Sequence, residues 1–240
     1  NHDVSFTVEP GTIHALVGEN GAGKSTAMRI IFGLDQPTSG HIEINDARVK
    51  NWTAEKAFAT GLGMVHQHFM LAGTETVLDN LVLGVELRKF FFFRDRKNER
   101  LKLEKLIQET GLEVDLDAQL DSLAIGLQSR CEILKVLYRN AKFLILDEPT
   151  AVLTPLEVKE FLKTLKKLKE TGHTILIVTH KLKEVFAIAD TVTVMRAGRT
   201  ICTKKISETS IEEISEKMVG HRVVLPMASP KLKSGTLALD

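Results

Sequence analysis

The stretch Gly18-Glu19-Asn20-Gly21-Ala22-Gly23-Lys24-Ser25 decides how this sequence of 240 residues is interpreted. It follows Ile13–Gly18, which has the apolar composition of a buried strand. It leads into Ser25–Gly33, where apolar residues recur at helical spacing. A glycine-rich loop between a strand and a helix is typical of a site for nucleotide phosphates. Its backbone N–H groups stay accessible to phosphate oxygens, and the helix adds the positive end of its dipole.

Two side chains at the end of this loop have complementary roles. Lys24 is expected to reach the β- and γ-phosphates as a mobile positive charge, and Ser25 offers a hydroxyl group to Mg²⁺. The sequence therefore predicts a nucleoside triphosphate with Mg²⁺ as the ligands. The predicted nucleotide contacts are Gly18, Glu19, Asn20, Gly21, Ala22, Gly23, Lys24, Ser25 and Thr26.

A second stretch, Phe143-Leu144-Ile145-Leu146-Asp147-Glu148, ends an apolar run with two adjacent carboxylates. Such a run is typical of a strand that is buried on both faces. Ligands of open α/β sheets bind where parallel strands end. Asp147 is therefore the predicted Mg²⁺ partner, and Glu148 is the predicted general base for an attacking water.

Strand-like and helix-like segments alternate along the chain, which predicts an α/β fold with a mostly parallel sheet and crossover helices. Val4–Val8 alternates like a strand, and helices are predicted over Val77–Leu87 and Arg100–Thr110. Another helix has clear start signals, with Thr154 as its N-cap and Glu157 completing a capping box. The charged, mostly helical region from about residue 74 to residue 140 is interpreted as an inserted helical subdomain.

The composition excludes several classes of protein. The formal net charge is +1, from 32 basic and 31 acidic residues, and this balance does not indicate a nucleic-acid binder with a broad basic surface. Two cysteines far apart in the sequence do not form a disulfide framework or a zinc motif, which favours a reducing compartment. The apolar runs are much shorter than the roughly 20 residues of a membrane-spanning helix.

Three further features resemble the ABC ATPase family. Gln67 follows a predicted strand and matches the family's Q-loop glutamine, and His180 matches its switch histidine. Leu123-Ala124-Ile125-Gly126-Leu127-Gln128 lies at the position of the family's signature, which contacts ATP bound to a partner domain. The resemblance covers nearly the whole chain. It implies a P-loop NTPase fold with a mostly parallel core sheet, an antiparallel β edge and an inserted helical subdomain.

The resemblance also implies functional roles for these residues. Glu148, His180 and Gln67 are the catalytic residues, and Ser25, Gln67 and Asp147 surround the metal. Ala124, Ile125 and Gly126 join the nucleotide contacts, and the cofactors are ATP and Mg²⁺. Where the family has a serine that contacts the γ-phosphate, this chain has Ala124, so we expect only backbone N–H groups of Ile125 and Gly126 to hold that anion.

A narrower resemblance is to the importers of simple sugars and nucleosides that fuse two ATPase domains in one chain. It is carried by Met64–Leu71, Glu132–Lys135 and Glu148–Pro155. The implied partners are integral-membrane permease subunits, a second ATPase domain and, indirectly, a substrate-binding protein, with no nucleic acid. The implied location is the cytoplasmic face of the cell membrane. We expect the ATPase domain to occupy residues 1–222 and a linker to a second ATPase domain to occupy residues 223–240.

Two departures from the family pattern accompany Ala124. The aromatic residue that stacks on adenine would precede Asn1, and Thr154 stands where the family has the D-loop aspartate. The alternative function is that of an ABC-type ATPase outside transport, in translation or DNA repair. Repair ATPases carry long coiled coils between the phosphate loop and the signature, and no sustained heptads occur here. A GTPase is disfavoured because the guanine-reading Asn-Lys-x-Asp motif is absent.

Overall fold

The computed structural model describes residues 1–66, 70–89 and 93–220, with the side chains of residues 88 and 89 excepted. In chain order the strands are β1 Ile13–Val17, β2 Glu43–Ile44, β3 Ala47–Arg48, β4 Leu62–Val65, β5 Arg88–Lys89, β6 Phe93–Arg94, β7 Phe143–Asp147, β8 Thr174–Thr179, β9 Thr191–Arg196 and β10 Arg199–Lys205. The α-helices are α1 Lys24–Ile31, α2 Ala54–Ala59, α3 Val77–Val82, α4 Arg96–Thr110, α5 Ile125–Tyr138, α6 Pro155–Glu170, α7 Leu182–Ile188 and α8 Ile211–Val219.

A six-stranded sheet with the order β10-β9-β1-β8-β7-β4 forms the centre of the fold. Strands β4, β7, β8, β1 and β9 pair in parallel, and β10 pairs antiparallel with β9 at one edge. The pairs β2–β3 and β5–β6 form two small antiparallel ribbons. The predicted α/β fold, with a mostly parallel sheet and an antiparallel edge, is confirmed.

Both faces of the sheet are covered. Along β1, Ile13, Ala15 and Val17 pack into one hydrophobic cluster, and Leu16 packs into the other. Helices α1 and α2 contribute to the cluster that contains Leu16, and α3 to α8 contribute to the larger one. Alternate side chains of a strand point to opposite faces, so burial on both faces requires the continuous apolar runs seen in the sequence.

The start of α6 agrees with its sequence signals. Thr154 is the N-cap, Pro155 is the first helical residue, and the side chain of Glu157 accepts from the Thr154 backbone N–H at 2.8 Å. At α8 only half of a capping box forms. The Ser210 side chain accepts from the Glu213 N–H, but the Glu213 carboxylate binds Lys204 and Thr209 instead.

One predicted strand and two predicted helix boundaries are wrong. Val4–Val8 does not form a strand, although its side chains alternate in burial. It contacts β10 through isolated hydrogen bonds, such as the one from the Ser5 N–H to Thr200 Oγ1. Helix α3 ends at Val82, because Leu83 leaves helical geometry with φ −48° and ψ 123°. Helix α4 begins four residues before Arg100, since Asp95 caps it by accepting from the Asn98 N–H.

Helices α3, α4 and α5 pack against one another on one side of the sheet. The limits of an inserted subdomain at residues 74 and 140 remain a prediction, and the linker predicted from residue 223 lies outside the described residues. Within the described ranges, no helix combines the length and apolar character that crossing a bilayer demands.

Candidate functional site

The phosphate loop connects β1 to α1 at the middle of the sheet. Lys24 turns back over the loop, and its Nζ donates to the carbonyl oxygens of Gly18 at 2.9 Å and Glu19 at 3.1 Å. Helix α1 begins after Gly23, whose φ of +94° favours glycine, and no side chain caps this end. The loop therefore combines a buried ammonium group with a helix N-terminus that lacks a side-chain cap.

Gly18 is fixed by a neighbouring strand. A Cβ atom at this position would lie 2.4 Å from the carbonyl oxygen of Met195 in β9. Since that obstacle is backbone in a strand interior, it has little room to move. Gly18 thus allows the loop to pack directly against the sheet.

The two carboxylates lie where β7 ends. Asp147 is its last residue, and Glu148 follows with φ +46° while its N–H donates to the Val178 carbonyl of β8 at 2.9 Å. A positive φ is unusual for a residue with a side chain and indicates local backbone strain. Neighbouring β8 holds this turn in place.

Glu148 and His180 form a direct pair. His180 Nδ1 lies 2.9 Å from Glu148 Oε1, and Thr179 Oγ1 donates to Glu148 Oε2 at 3.4 Å. An ionised carboxylate only accepts hydrogen bonds, so Nδ1 carries the hydrogen of this contact. The His180 side chain is 52% exposed and that of Glu148 is 12% exposed, which places the histidine at the rim and the carboxylate deeper.

The charges at the bottom of the site influence one another. Burial lowers the pKa of Lys24, and the negative charges of Glu148 and Asp147 oppose that shift. Burial raises the pKa of Asp147, Glu148 raises it further, and a hydrogen bond from Ser25 opposes both. Two carboxylates therefore face one partly desolvated cation, with the Ser25 hydroxyl bonded to Asp147.

These groups line a single pocket of about 340 Å³. Its lining residues are Asn20, Gly21, Gly23, Lys24, Ser25, Thr26, Asp147, Glu148, Ala151 and His180. Gly18, Glu19 and Ala22 complete the loop behind it. A larger cavity of about 800 Å³ lies between α4 and Leu127 and contains none of the predicted site residues.

The predicted signature residues lie away from this pocket, at the start of α5. Ala124 is the N-cap and makes no side-chain capping bond, and Ile125 is 45% exposed. The Gly126 N–H donates to Glu157 Oε1 at 3.1 Å. In this structure a carboxylate of the same chain therefore already accepts from the Gly126 N–H, and the contact of Ala124, Ile125 and Gly126 with nucleotide remains a prediction. Gln67, the predicted Q-loop residue, lies outside the described residues.

The structure adds neighbours that sequence reasoning missed. His66 is close enough to Asp147 for their charges to interact, and burial lowers its pKa. Beyond Glu148, Lys181 Nζ donates to the Thr150 carbonyl at 2.7 Å, and Thr150 Oγ1 donates to Glu184 at 2.6 Å. These contacts join segments about 30 residues apart, so no local pattern in the sequence indicates them.

Several known proteins are similar to this chain in sequence. Residues 1–151 match the family model described as ABC transporter. The chain is 46% identical over 242 residues to the guanosine import ATP-binding protein NupO of Bacillus subtilis (strain 168), covering 100% of this chain and 47% of NupO. It is 39% identical to the ribose import ATP-binding protein RbsA 2 of Burkholderia cenocepacia (strain HI2424), covering 95% of this chain and 47% of that protein. The chain thus spans about half the length of these curated relatives.

A solved structure has the same fold as this chain. The dimeric structure of MJ0796, a bacterial ABC transporter cassette, superposes with a TM-score of 0.71 at 25% identity, covering 85% of this chain and 89% of that one. The family model extends from the phosphate loop to the Asp147–Glu148 pair, and the relatives extend the match through His180. The chain therefore belongs to the ABC transporter family, and it resembles the ATP-binding proteins of that family's simple sugar and nucleoside importers.

Proposed function

We propose that the chain binds and hydrolyses ATP to drive import of nucleosides or simple sugars through a membrane permease. The observation that carries this proposal is the single pocket in which Lys24, Ser25, Asp147, Glu148 and His180 meet. The names of the relatives NupO and RbsA 2 support import of a nucleoside or a sugar. In this proposal the chain lies at the cytoplasmic face of the membrane, bound to the permease.

Phosphate binding follows from the loop. The start of α1 offers backbone N–H groups, and the Lys24 ammonium now bonded to the Gly18 and Glu19 carbonyls can turn to the β- and γ-phosphates. The pocket is partly desolvated, which strengthens these attractions relative to water. Residues Gly18 to Thr26 are the proposed nucleotide contacts.

The residues present also fit Mg²⁺. The Ser25 hydroxyl and the Asp147 carboxylate are hard oxygen ligands already in contact with each other. Among the described residues, no three or more His, Cys, Asp or Glu side chains cluster as a metal cage. Mg²⁺ is usually bound by one or two carboxylates together with substrate phosphates and waters. We therefore propose Asp147 as the carboxylate ligand, with the Ser25 hydroxyl and Gln67 as the neutral oxygen partners. Bound Mg²⁺ would neutralise phosphate charge.

Glu148 is the proposed general base. A water in line with the γ-phosphate would give a proton to Glu148 as its oxygen bonds to phosphorus, and the bond to the leaving ADP oxygen breaks. His180 holds Glu148 Oε1 through Nδ1, which leaves Nε2 at the exposed rim to face the γ-phosphate. Gln67 is proposed as the third catalytic residue.

A partner domain completes the site in this proposal. Ala124, Ile125 and Gly126 lie away from the pocket of their own chain, so they would face nucleotide bound to a second ATPase domain, fused or separate. The MJ0796 cassette is dimeric, which supports such an arrangement. A substrate-binding protein would act indirectly through the permease.

Two measurements test the proposal. The purified chain should bind ATP with Mg²⁺ but release little phosphate while light scattering shows a monomer. The full-length protein should co-purify from membrane extract with a permease and hydrolyse ATP in that complex. Failure to bind ATP would overturn the proposal, and strong turnover by a strict monomer would contradict the need for a partner. Full-length protein that binds ribosomes or DNA instead of a permease would favour the non-transport alternative.

A further inference from the structure

One carboxylate connects the two helix starts at this end of the molecule. Glu157 Oε2 accepts from the N–H and the hydroxyl of Thr154, the N-cap of α6, at 2.8 and 2.7 Å. Its other oxygen, Oε1, accepts from the Gly126 N–H in the first turn of α5 at 3.1 Å. The same residue thus caps its own helix and also the helix that begins at the signature.

The local shape is built for this contact. A Cβ atom on Gly126 would lie 2.5 Å from Glu157 Oε1, so glycine leaves the space that the carboxylate occupies. Ala124, the N-cap of α5, offers no side-chain oxygen of its own. Hydrogen bonds from the Thr154 backbone and hydroxyl, together with the bond from Gly126, hold the pKa of Glu157 below its usual range. The group is therefore negatively charged at neutral pH.

We infer that Glu157 is an internal anion that occupies the signature turn and weakens phosphate binding at the ATP site which this turn completes. The inference rests on the proposed function, in which the signature turn faces ATP on the partner domain. An arriving γ-phosphate must compete with the carboxylate for the Gly126 N–H and must also approach a like charge. The missing hydroxyl at Ala124 acts in the same direction, so two features of one turn disfavour the phosphate.

The test is ATP binding to the assembled full-length transporter carrying Lys24→Ala. That change weakens binding in this chain's own pocket, so the remaining high-affinity binding reports on the site that the signature turn completes. Glu157→Gln should tighten this binding about tenfold, roughly the worth of one charge-assisted hydrogen bond. Glutamine is also accepted at the capping-box position, so the cap on Thr154 is retained. The matched control is Glu160→Gln on the next turn of α6, where the carboxylate is bonded to exposed Lys163. This change should leave the affinity unchanged.

The outcomes are distinct. An unchanged or weaker affinity in Glu157→Gln would overturn the inference, as would equal tightening in Glu160→Gln. If ATP binding to the Lys24→Ala transporter is too weak to measure, adding Glu157→Gln should make it measurable. Binding that stays unmeasurable would also overturn the inference. If Glu157→Gln does not assemble, Glu157→Asp shortens the side chain by one methylene, withdraws the carboxylate from Gly126, and should tighten binding in the same direction. Absence of ATP binding in the unmodified transporter would instead refute the proposed function.

Discussion

Two helix N-termini in this molecule meet anions in opposite ways. Helix α1 begins at Gly23 with no side-chain cap and with Lys24 beside it, and it opens on a pocket. Helix α5 begins at Ala124, also without a side-chain cap of its own, but Glu157 of α6 accepts from its Gly126 N–H. The difference leads us to expect tighter phosphate binding at the start of α1, where no carboxylate of the described residues accepts from the first turn, than at the start of α5.

The largest expected effect is the loss of turnover in Glu148→Gln, in the pocket at the start of α1. Glu148→Gln retains the shape of the side chain and removes most of its basicity, so turnover of the assembled transporter should fall about 100-fold or more with ATP affinity nearly unchanged. Steady-state phosphate release and equilibrium ATP binding measure the two quantities. Glu170→Gln, an exposed change at the end of α6, serves as the control.

The same variant tests whether the two ATP sites differ. In the proposed arrangement, the ATP site on this chain contains Lys24, Asp147 and Glu148, whereas the site on the second ATPase domain would be completed by the Ala124 turn. The equivalent carboxylate change in the second ATPase domain should therefore reduce turnover much less. Equal losses from the two changes would show that Ala124 and Glu157 have no functional consequence.

Lys24→Ala should mainly affect binding. Removing a buried ammonium group that faces phosphates is expected to weaken ATP affinity about 10- to 100-fold. Fluorescence titration of the isolated chain with an ATP analogue measures this, and Lys166→Ala on the exposed face of α6 is the control. An unaltered affinity would remove Lys24 from the phosphate site.

Two glycine substitutions compare the rigidity of the helix starts. Gly18→Ala places a Cβ atom 2.4 Å from the Met195 backbone carbonyl, so the free energy of unfolding should fall by about 1–3 kcal/mol. Gly126→Ala instead meets the end of the flexible Glu157 side chain, which can move aside, so the cost should stay below about 1 kcal/mol. Urea unfolding of both variants measures the difference. Equal losses would mean that the contact between Glu157 and Gly126 is as rigid as a strand backbone.

The smallest expected effect is that of Ala124→Ser. A hydroxyl at this position adds one donor for phosphate, which should raise turnover of a Glu148→Gln transporter by about tenfold, the low end for a hydrogen bond to a charged group. The rise requires a catalytic carboxylate in the second ATPase domain. The rate of phosphate release measures this change in turnover, and Ala187→Ser on an exposed part of α7 is the control. A loss of activity would indicate that the hydroxyl disturbs the turn.

The sequence alone brings Lys24, Ser25, Asp147 and Glu148 together, as the pocket lining does, because their positions depend on local determinants. The loop at Gly18–Ser25 and the run Phe143–Glu148 each place their groups by strand geometry alone, and parallel pairing then brings both to one sheet edge. Thr154 and Glu157 likewise indicate a capping box because both residues lie within one turn.

What the sequence does not predict depends on tertiary contacts. The second bond of Glu157, to Gly126, joins residues 31 positions apart and follows no local pattern. The same holds for the proximity of His66 to Asp147, because the parallel pairing of β4 with β7 brings these two residues together. At Val4–Val8 the local pattern predicts a strand that does not form. Alternation indicates that one face of the segment is buried, but a strand also requires a continuous hydrogen-bonding partner.

Strand β1 has a consequence for the slowest motions of the molecule. It is paired with β8 and β9 on its two sides, and all five of its residues are buried. Amide hydrogens in such a strand exchange with solvent only when the whole fold opens. The phosphate loop starts at the next residue, so its first peptide is anchored to the part of the protein that opens last. ATP at a hundred times its Kd would stabilise the folded state by about 2.7 kcal/mol, and exchange along β1 would slow by about a hundredfold.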